Sequence, residues 1–248
     1  WLADPRLRLA VECSREVGAE IHWMGNVPVA STATAAQFAR LFAAALPGVA
    51  DEDYVLTSDA DMLPLGAWVG GGRDVEKGLQ LYFSNAYSGG PCPHDGGKMD
   101  PCPHYPICYV GARARTWRNI VGVERLKWQS TFRGVLLGAP SDPLLLWNYD
   151  EVWLGEKIRA WQGYPRRVQE IPRDMREEGQ WRVDRSAWAA SIIDLERRGN
   201  LRGAADAHLP RPGWTDEHWR GIRLIAEMAV PEEYLAWVDE YRERWVRG

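Results

Sequence analysis

Carboxylates, imidazoles and thiols are the side chains that hold cations and move protons, and in this 248-residue chain they gather in a few places. Asp59-Ala60-Asp61 sets two carboxylates one residue apart. The run Tyr54-Val55-Leu56 just before them is β-branched and aromatic, which predicts a buried strand. Carboxylates at a strand's end sit at the mouth of a sheet, where ligands bind in open α/β folds. Two hard oxygen donors this close suit Mg2+ or Mn2+, which can in turn hold a diphosphate. A lone Asp-x-Asp is common in solvated turns. Its position after an apolar strand and before Met62-Leu63-Pro64, where the proline stops the strand, strengthens the metal reading.

A second acidic pair, Asp150-Glu151, follows Trp147-Asn148-Tyr149 and opens an amphipathic helix carrying Val152, Leu154 and Ile158. Acidic residues in a first turn complement the helix dipole; a carboxylate in reach of a hydroxyl can also serve as a general base. A third group repeats: Pro91-Cys92-Pro93-His94, then Pro101-Cys102-Pro103-His104. Two thiolates and two imidazoles form a tetrahedral Zn2+ set by ligand type, although the spacing is unlike the common fingers. A Cys92–Cys102 disulfide, and a Pro/Gly-rich surface loop with free thiols, are the other two readings.

The elements that must position these groups alternate. A helix is expected over 5–18, ended by Gly18, then a strand over 20–24 and a turn at 25–28. Thr34 and Gln37 have capping-box spacing, and Phe38, Leu41, Phe42 and Ala45 follow at helical spacing up to Pro47-Gly48. After the key strand, the glycines of 66–72 match neither a P-loop nor a dinucleotide fingerprint. Strands are expected at 79–83, 106–111 and 167–171, with helices over 112–120, 124–138 and 186–198. The charge-rich 173–207 leads to an irregular segment, Ala207-His208-Leu209-Pro210-Arg211-Pro212-Gly213. Thr215 caps a helix with Trp219, Ile222 and Ile225 on one face. Another begins at Pro231 with Tyr234, Trp237, Val238, Tyr241 and Trp245. The expected fold is a single α/β domain: a mostly parallel, Rossmann-like sheet flanked by helices over 1–212, with a C-terminal helical pair over 213–248.

Bulk properties narrow the function. A net charge of −4, with no arginine-rich stripe, argues against nucleic acid as the main partner. No apolar run approaches the ~18–20 residues of a membrane span, and no signal peptide is visible. Fourteen tryptophans could stack on sugar rings, but Trp is also an ordinary large core residue.

The stretch 53–65 resembles the Asp-x-Asp segment of GT-A glycosyltransferases, which bind a nucleotide-sugar through a metal. The resemblance runs over about 34–158 and returns at the histidine segment. It is similar to small GT-A domains, among them the glycosyltransferase domain of large algal-virus multidomain proteins, whose donor is a UDP-sugar. It implies Mn2+ or Mg2+ held by Asp61, His208 and Asp59, the last directly or through water. It implies Arg40 near the nucleotide, Arg211 on a phosphate oxygen, and Gly111 and the Trp147 loop beside donor or acceptor sugar. Asp150, or next Glu151, would deprotonate the acceptor hydroxyl if the enzyme inverts; the Asp-Glu pair occurs in retaining members too. The implied reaction is hexosyl or deoxyhexosyl transfer from a UDP-sugar to a carbohydrate or glycan acceptor. One departure stands out: no equivalent of the family's opening, base-holding strand precedes the helix at 5–18, so it is either lost or upstream. The rival functions are a nucleotidyltransferase, for which the usual Gly-rich loop with a basic residue is missing, and a non-catalytic carbohydrate-binding or zinc-organised interaction module.

Overall fold

A computed structural model describes residues 5–22, 32–65, 77–84, 105–139, 148–172, 181–211 and 213–247. In chain order its elements are α1 (Pro5–Glu16), α2 (Thr32–Ala39), β1 (Tyr54–Ser58), β2 (Met62–Pro64), β3 (Leu79–Tyr82), β4 (Tyr109–Arg113) and α3 (Ala114–Val121). Then come α4 (Trp128–Leu137), α5 (Tyr149–Ala160), β5 (Val168–Ile171), β6 (Trp181–Asp184), α6 (Trp188–Arg198), β7 (Ala204–His208), α7 (Asp216–Ala229) and α8 (Glu232–Arg247). They divide into two compact units: Met24–Ala60 with Gly70–Asp174, and Trp1–Trp23 with Asp61–Val69 and Met175–Gly248. The C-terminal helices α7 and α8 thus share a unit with α1 and three strands.

The larger unit holds a four-stranded sheet in the order β1-β4-β3-β5, with β4 antiparallel to β1 and β3, and β5 parallel to β3. All four residues of the inner strand β3 are buried. Its one polar member, Gln80, accepts a hydrogen bond from the Tyr54 hydroxyl at 3.0 Å, as a buried amide must find a partner. The apolar residues at helical spacing do bury: Phe38 on α2, then Leu41 and Phe42 on a 3-10 stretch, Arg40–Ala45, that continues it. They pack with Trp117, Ile120, Phe132, Leu154 and Ile158. Trp117, the largest buried side chain, still satisfies its indole N–H by donating to the Val55 carbonyl at 3.0 Å. Gly122, in the left-handed region at φ 71°, ends α3 with its N–H on the Arg118 carbonyl at 2.9 Å.

The smaller unit holds the sheet β2-β7-β6, antiparallel for β2 with β7 and parallel for β7 with β6. Val183, Ala207, Ile192 and Leu195 of α6, and Ile225 of α7 make its core. On α7, a Cβ at Gly221 would meet Ile192 and Trp188 side chains at 2.7 Å, so glycine lets α6 and α7 approach closely. Helix α8 packs on α7 and on α1, where Arg244 pairs with Glu12 at 3.0 Å beside the buried Cys13. No described helix is long and apolar enough to cross a membrane.

The α/β class with flanking helices and a C-terminal helical pair is as expected, but both sheets are mixed rather than mostly parallel. The expected strand over 20–24 supplied part of the parallel alternation. Its described residues, 20–22, carry no ladder, and His22 pairs locally with Glu20 at 3.0 Å. The strand that Pro64 ends is β2, of which it is the last residue, and not β1, which already stops at Ser58. Proline is tolerated there because β2 is an edge strand of its sheet. His208 likewise lies at the end of β7, not in an irregular segment.

Gly111 tests the packing of the larger sheet. A Cβ there would overlap the Tyr54 side chain, which fills the space above the glycine. Gly111→Ala is expected to lower unfolding free energy by about 1–3 kcal/mol. In a chemical denaturation series, Tyr54→Ala in the same chain should recover part of that loss; an additive further loss would contradict the close contact.

Candidate functional site

Asp59 and Asp61 are two residues apart in the chain but belong to different units, so each carboxylate has its own surroundings. Asp59 directly follows β1. Arg40, at the start of the 3-10 stretch, donates from Nη1 to Asp59 and from Nη2 to Asp150 Oδ2 at 2.8 Å. Asp150 stands in the first turn of α5 with only 2% of its surface exposed, its other oxygen accepting the Glu151 backbone N–H at 3.0 Å. One guanidinium thus serves two carboxylates. Burial pushes the Asp150 carboxyl up to about 6, against the pull of Arg40, and the neighbouring Glu151 adds to the rise. Burial alone would lower the Arg40 pKa, but Asp59 and Asp150 more than offset it and leave it raised. The helical arginine that could have pointed to solvent is instead the counter-ion of two acids.

Glu151 points elsewhere, accepting the Ile107 N–H at 3.4 Å. Gly111 sits in mid-β4 opposite Leu56 and Gln80, with Tyr54 filling the space beside it. Trp147, and the Cys92, His94, Cys102 and His104 set, lie outside the described residues.

In the smaller unit the end of β7 is tied to the start of β2: Leu209 N–H donates to the Asp61 carbonyl at 2.8 Å, and Met62 pairs with His208. That register brings the His208 ring to the Asp61 carboxylate, with Nε2 at 3.3 Å from Oδ2. Arg185 Nη1 and Arg211 Nε donate to the same oxygen at 2.5 and 2.6 Å. The other oxygen, Oδ1, is buried and meets no hydrogen-bond donor among the described residues. Burial would raise the Asp61 pKa, but hydrogen bonds from His208 and Arg211, with their charges, hold it well below the usual carboxylate range. Asp61 is therefore ionised at any physiological pH.

Behind this cluster, Arg182 on β6 grips the fully buried Asp206 of β7 in a bidentate pair at 2.8 and 2.7 Å. Asp184 accepts the Ser186 N–H at 2.9 Å and turns the chain into the short 3-10 stretch that carries Arg185. Arg185 was not foreseen. Its only sequence signal was membership of a charge-rich stretch, in which one arginine looks like another.

Two of the three expected metal ligands, Asp61 and His208, are together. Asp59 is held by Arg40, and among the described residues no group of three His, Cys, Asp or Glu side chains is arranged to hold a metal. What the Asp61 cluster offers a divalent cation is a buried carboxylate oxygen, without a partner among the described residues, and an imidazole nitrogen, a mixed set suited to Mn2+. Its two arginines have the fork geometry that phosphate oxygens select.

The Asp150 pKa gives a prediction about stability. The folded chain keeps this proton to about pH 6, whereas an unfolded aspartate releases it near pH 4. The Asp150 contribution is fully present below the unfolded value and is lost as pH rises through about 6. The unfolding free energy of the native protein relative to Asp150→Asn should fall by about 2–3 kcal/mol between pH 4 and 6.5. Denaturation curves of both proteins across that range check it; parallel pH profiles would contradict it.

No family model matches the chain, and no curated protein matches it. Among solved structures, a galactosyltransferase, LgtC, in complex with donor and acceptor sugar analogues is similar at a TM-score of 0.41 and 16% identity, over 79% of this chain and 69% of that one. A likeness this slight adds no weight to a functional assignment.

Proposed function

We propose that this protein is a metal-dependent glycosyltransferase of GT-A type, moving a sugar from a nucleotide-sugar, best a UDP-sugar, to an acceptor hydroxyl. The observation that carries the reading is the Asp61 cluster. The second carboxylate of Asp59-Ala60-Asp61 has one oxygen buried without a partner among the described residues, an imidazole 3.3 Å from its other oxygen, and two arginines donating to that other oxygen. Leaving a buried carboxylate oxygen without a donor costs about 1–3 kcal/mol, and a cation would relieve that cost.

Asp61 and His208 would hold the Mn2+ or Mg2+. When bound, the cation supplies Lewis-acid neutralisation of the departing nucleoside diphosphate. Arg185 and Arg211 would orient the diphosphate by donating to its non-bridging oxygens. Asp150 is assigned the proton: with a pKa of about 6 it is mostly ionised at neutral pH yet basic enough to accept a proton from an acceptor hydroxyl. Arg40, donating to Asp150 Oδ2 at 2.8 Å, fixes the rotamer of that carboxylate.

Incubation with a panel of nucleotide-sugars, with and without Mn2+, should give metal-dependent release of nucleoside diphosphate for at least one donor. Arg211→Gln should raise the donor KM about tenfold, the weight of one charge-assisted hydrogen bond. The rate should rise with pH through about 6 and then level off. No turnover with any donor would sink the proposal; a pH profile that is flat through 6 would remove Asp150 from the chemistry.

A further inference from the structure

At the end of the larger sheet opposite Asp59, the starts of β1, β3 and β5 and the end of β4 converge on a cavity of about 80 Å3. Four cations line it: Lys77 just before β3, Arg113 at the end of β4, Arg115 in the first turn of α3, and Arg167 just before β5. Tyr54 and Gln80 supply polar groups, and among the described residues no acidic side chain lines the cavity. We propose that this cavity binds a tetrahedral oxyanion, a free phosphate or the phosphate of a monoester, separately from the Asp61 cluster.

The charges are incompletely matched. Glu52 pairs with both Arg113 and Arg115, so one carboxylate serves two guanidiniums. Among the described residues Lys77 donates to a neutral group, the Arg166 carbonyl, at 2.8 Å. The Arg167 guanidinium lies 5.5 Å from the centre of the Trp161 ring, again a neutral partner. Among the described residues neither Lys77 nor Arg167 meets a carboxylate, so four like charges face one cavity against a single counter-ion. Such an arrangement is self-repelling until an anion enters it. Backbone geometry contributes too: a Cβ at Gly78 would strike Trp161 at 2.8 Å and crowd Arg167 at 3.3 Å, so glycine keeps the Arg167 side chain where it is. The volume is several times what one water requires, enough for a compact oxyanion. Arginines with a lysine among them are the usual phosphate set, the forks giving directed hydrogen bonds and the ammonium a point charge.

The test is a titration of the isotope-labelled protein at low ionic strength, first with inorganic phosphate and then with glucose 1-phosphate. It follows the backbone amide resonances of Gly78 and of Thr116, which also lines the cavity. Saturable shifts are expected for at least one ligand, weakened by about tenfold or more in a Lys77→Gln/Arg167→Gln double variant and weakened by added salt. Tighter binding of the ester would assign the site to organic phosphates, and equal binding to the free ion. Asp61→Asn and Arg211→Gln should leave these shifts unchanged, so the outcome is independent of the donor site. Absence of saturable shifts, shifts indifferent to the double variant, or their loss in Asp61→Asn would each overturn the proposal.

Discussion

A buried carboxylate persists only where opposite charge or hydrogen-bond donors compensate its lost hydration. In this chain arginine does most of that work. Arg40 bridges Asp59 and Asp150, Arg185 and Arg211 converge on Asp61, and Arg182 clamps Asp206. Compensation is even at Asp206, which has a bidentate partner. It is uneven at Asp61, where every donor falls on one oxygen and the buried other has none among the described residues. That imbalance marks Asp61 as the carboxylate suited to an external cation and Asp206 as a structural one.

The same electrostatics separate two acids that look alike in sequence. Asp61 is held ionised by an imidazole and guanidiniums, whereas burial lifts Asp150 to about 6 despite its arginine. Environments that push two carboxyl groups in opposite directions are how one fold provides both a permanent anion and a proton acceptor near neutral pH. Arg40 is the residue through which Asp150 is tuned, since it also answers to Asp59. Any change at Asp59 that frees the guanidinium would alter the balance at Asp150.

Where hydrophobic period and turn residues agreed, the sequence was legible. Tyr54–Ser58, the Phe38-Leu41-Phe42 face, Leu79–Tyr82 and the two C-terminal helices lie close to where their patterns predicted. The second sheet was not legible, for a physical reason. β7 is Ala-Ala-Asp-Ala-His, poor in the β-branched and aromatic residues that mark strands, and β6 carries Arg182 and Asp184 in four residues. These strands exist because the Arg182–Asp206 pair and the packing of α6 and α7 fix them, tertiary effects that local pattern does not report. For the same reason His208 stood out only through the family resemblance, and not as the end of a strand. Arg185, brought to Asp61 by the turn after β6, had no recognisable signal at all.

The claim on which the rest depends is that the Asp61 cluster takes a divalent cation together with a nucleoside diphosphate. Electron paramagnetic resonance reads it directly, by the loss of the free Mn2+ signal as the protein is added with and without uridine diphosphate. One Mn2+ is expected to bind per chain, tightened by the nucleotide and weakened by about 10–100-fold in His208→Ala, with Asp61→Asn abolishing it. Mn2+ binding that is absent, or that survives both substitutions unchanged, would contradict the claim.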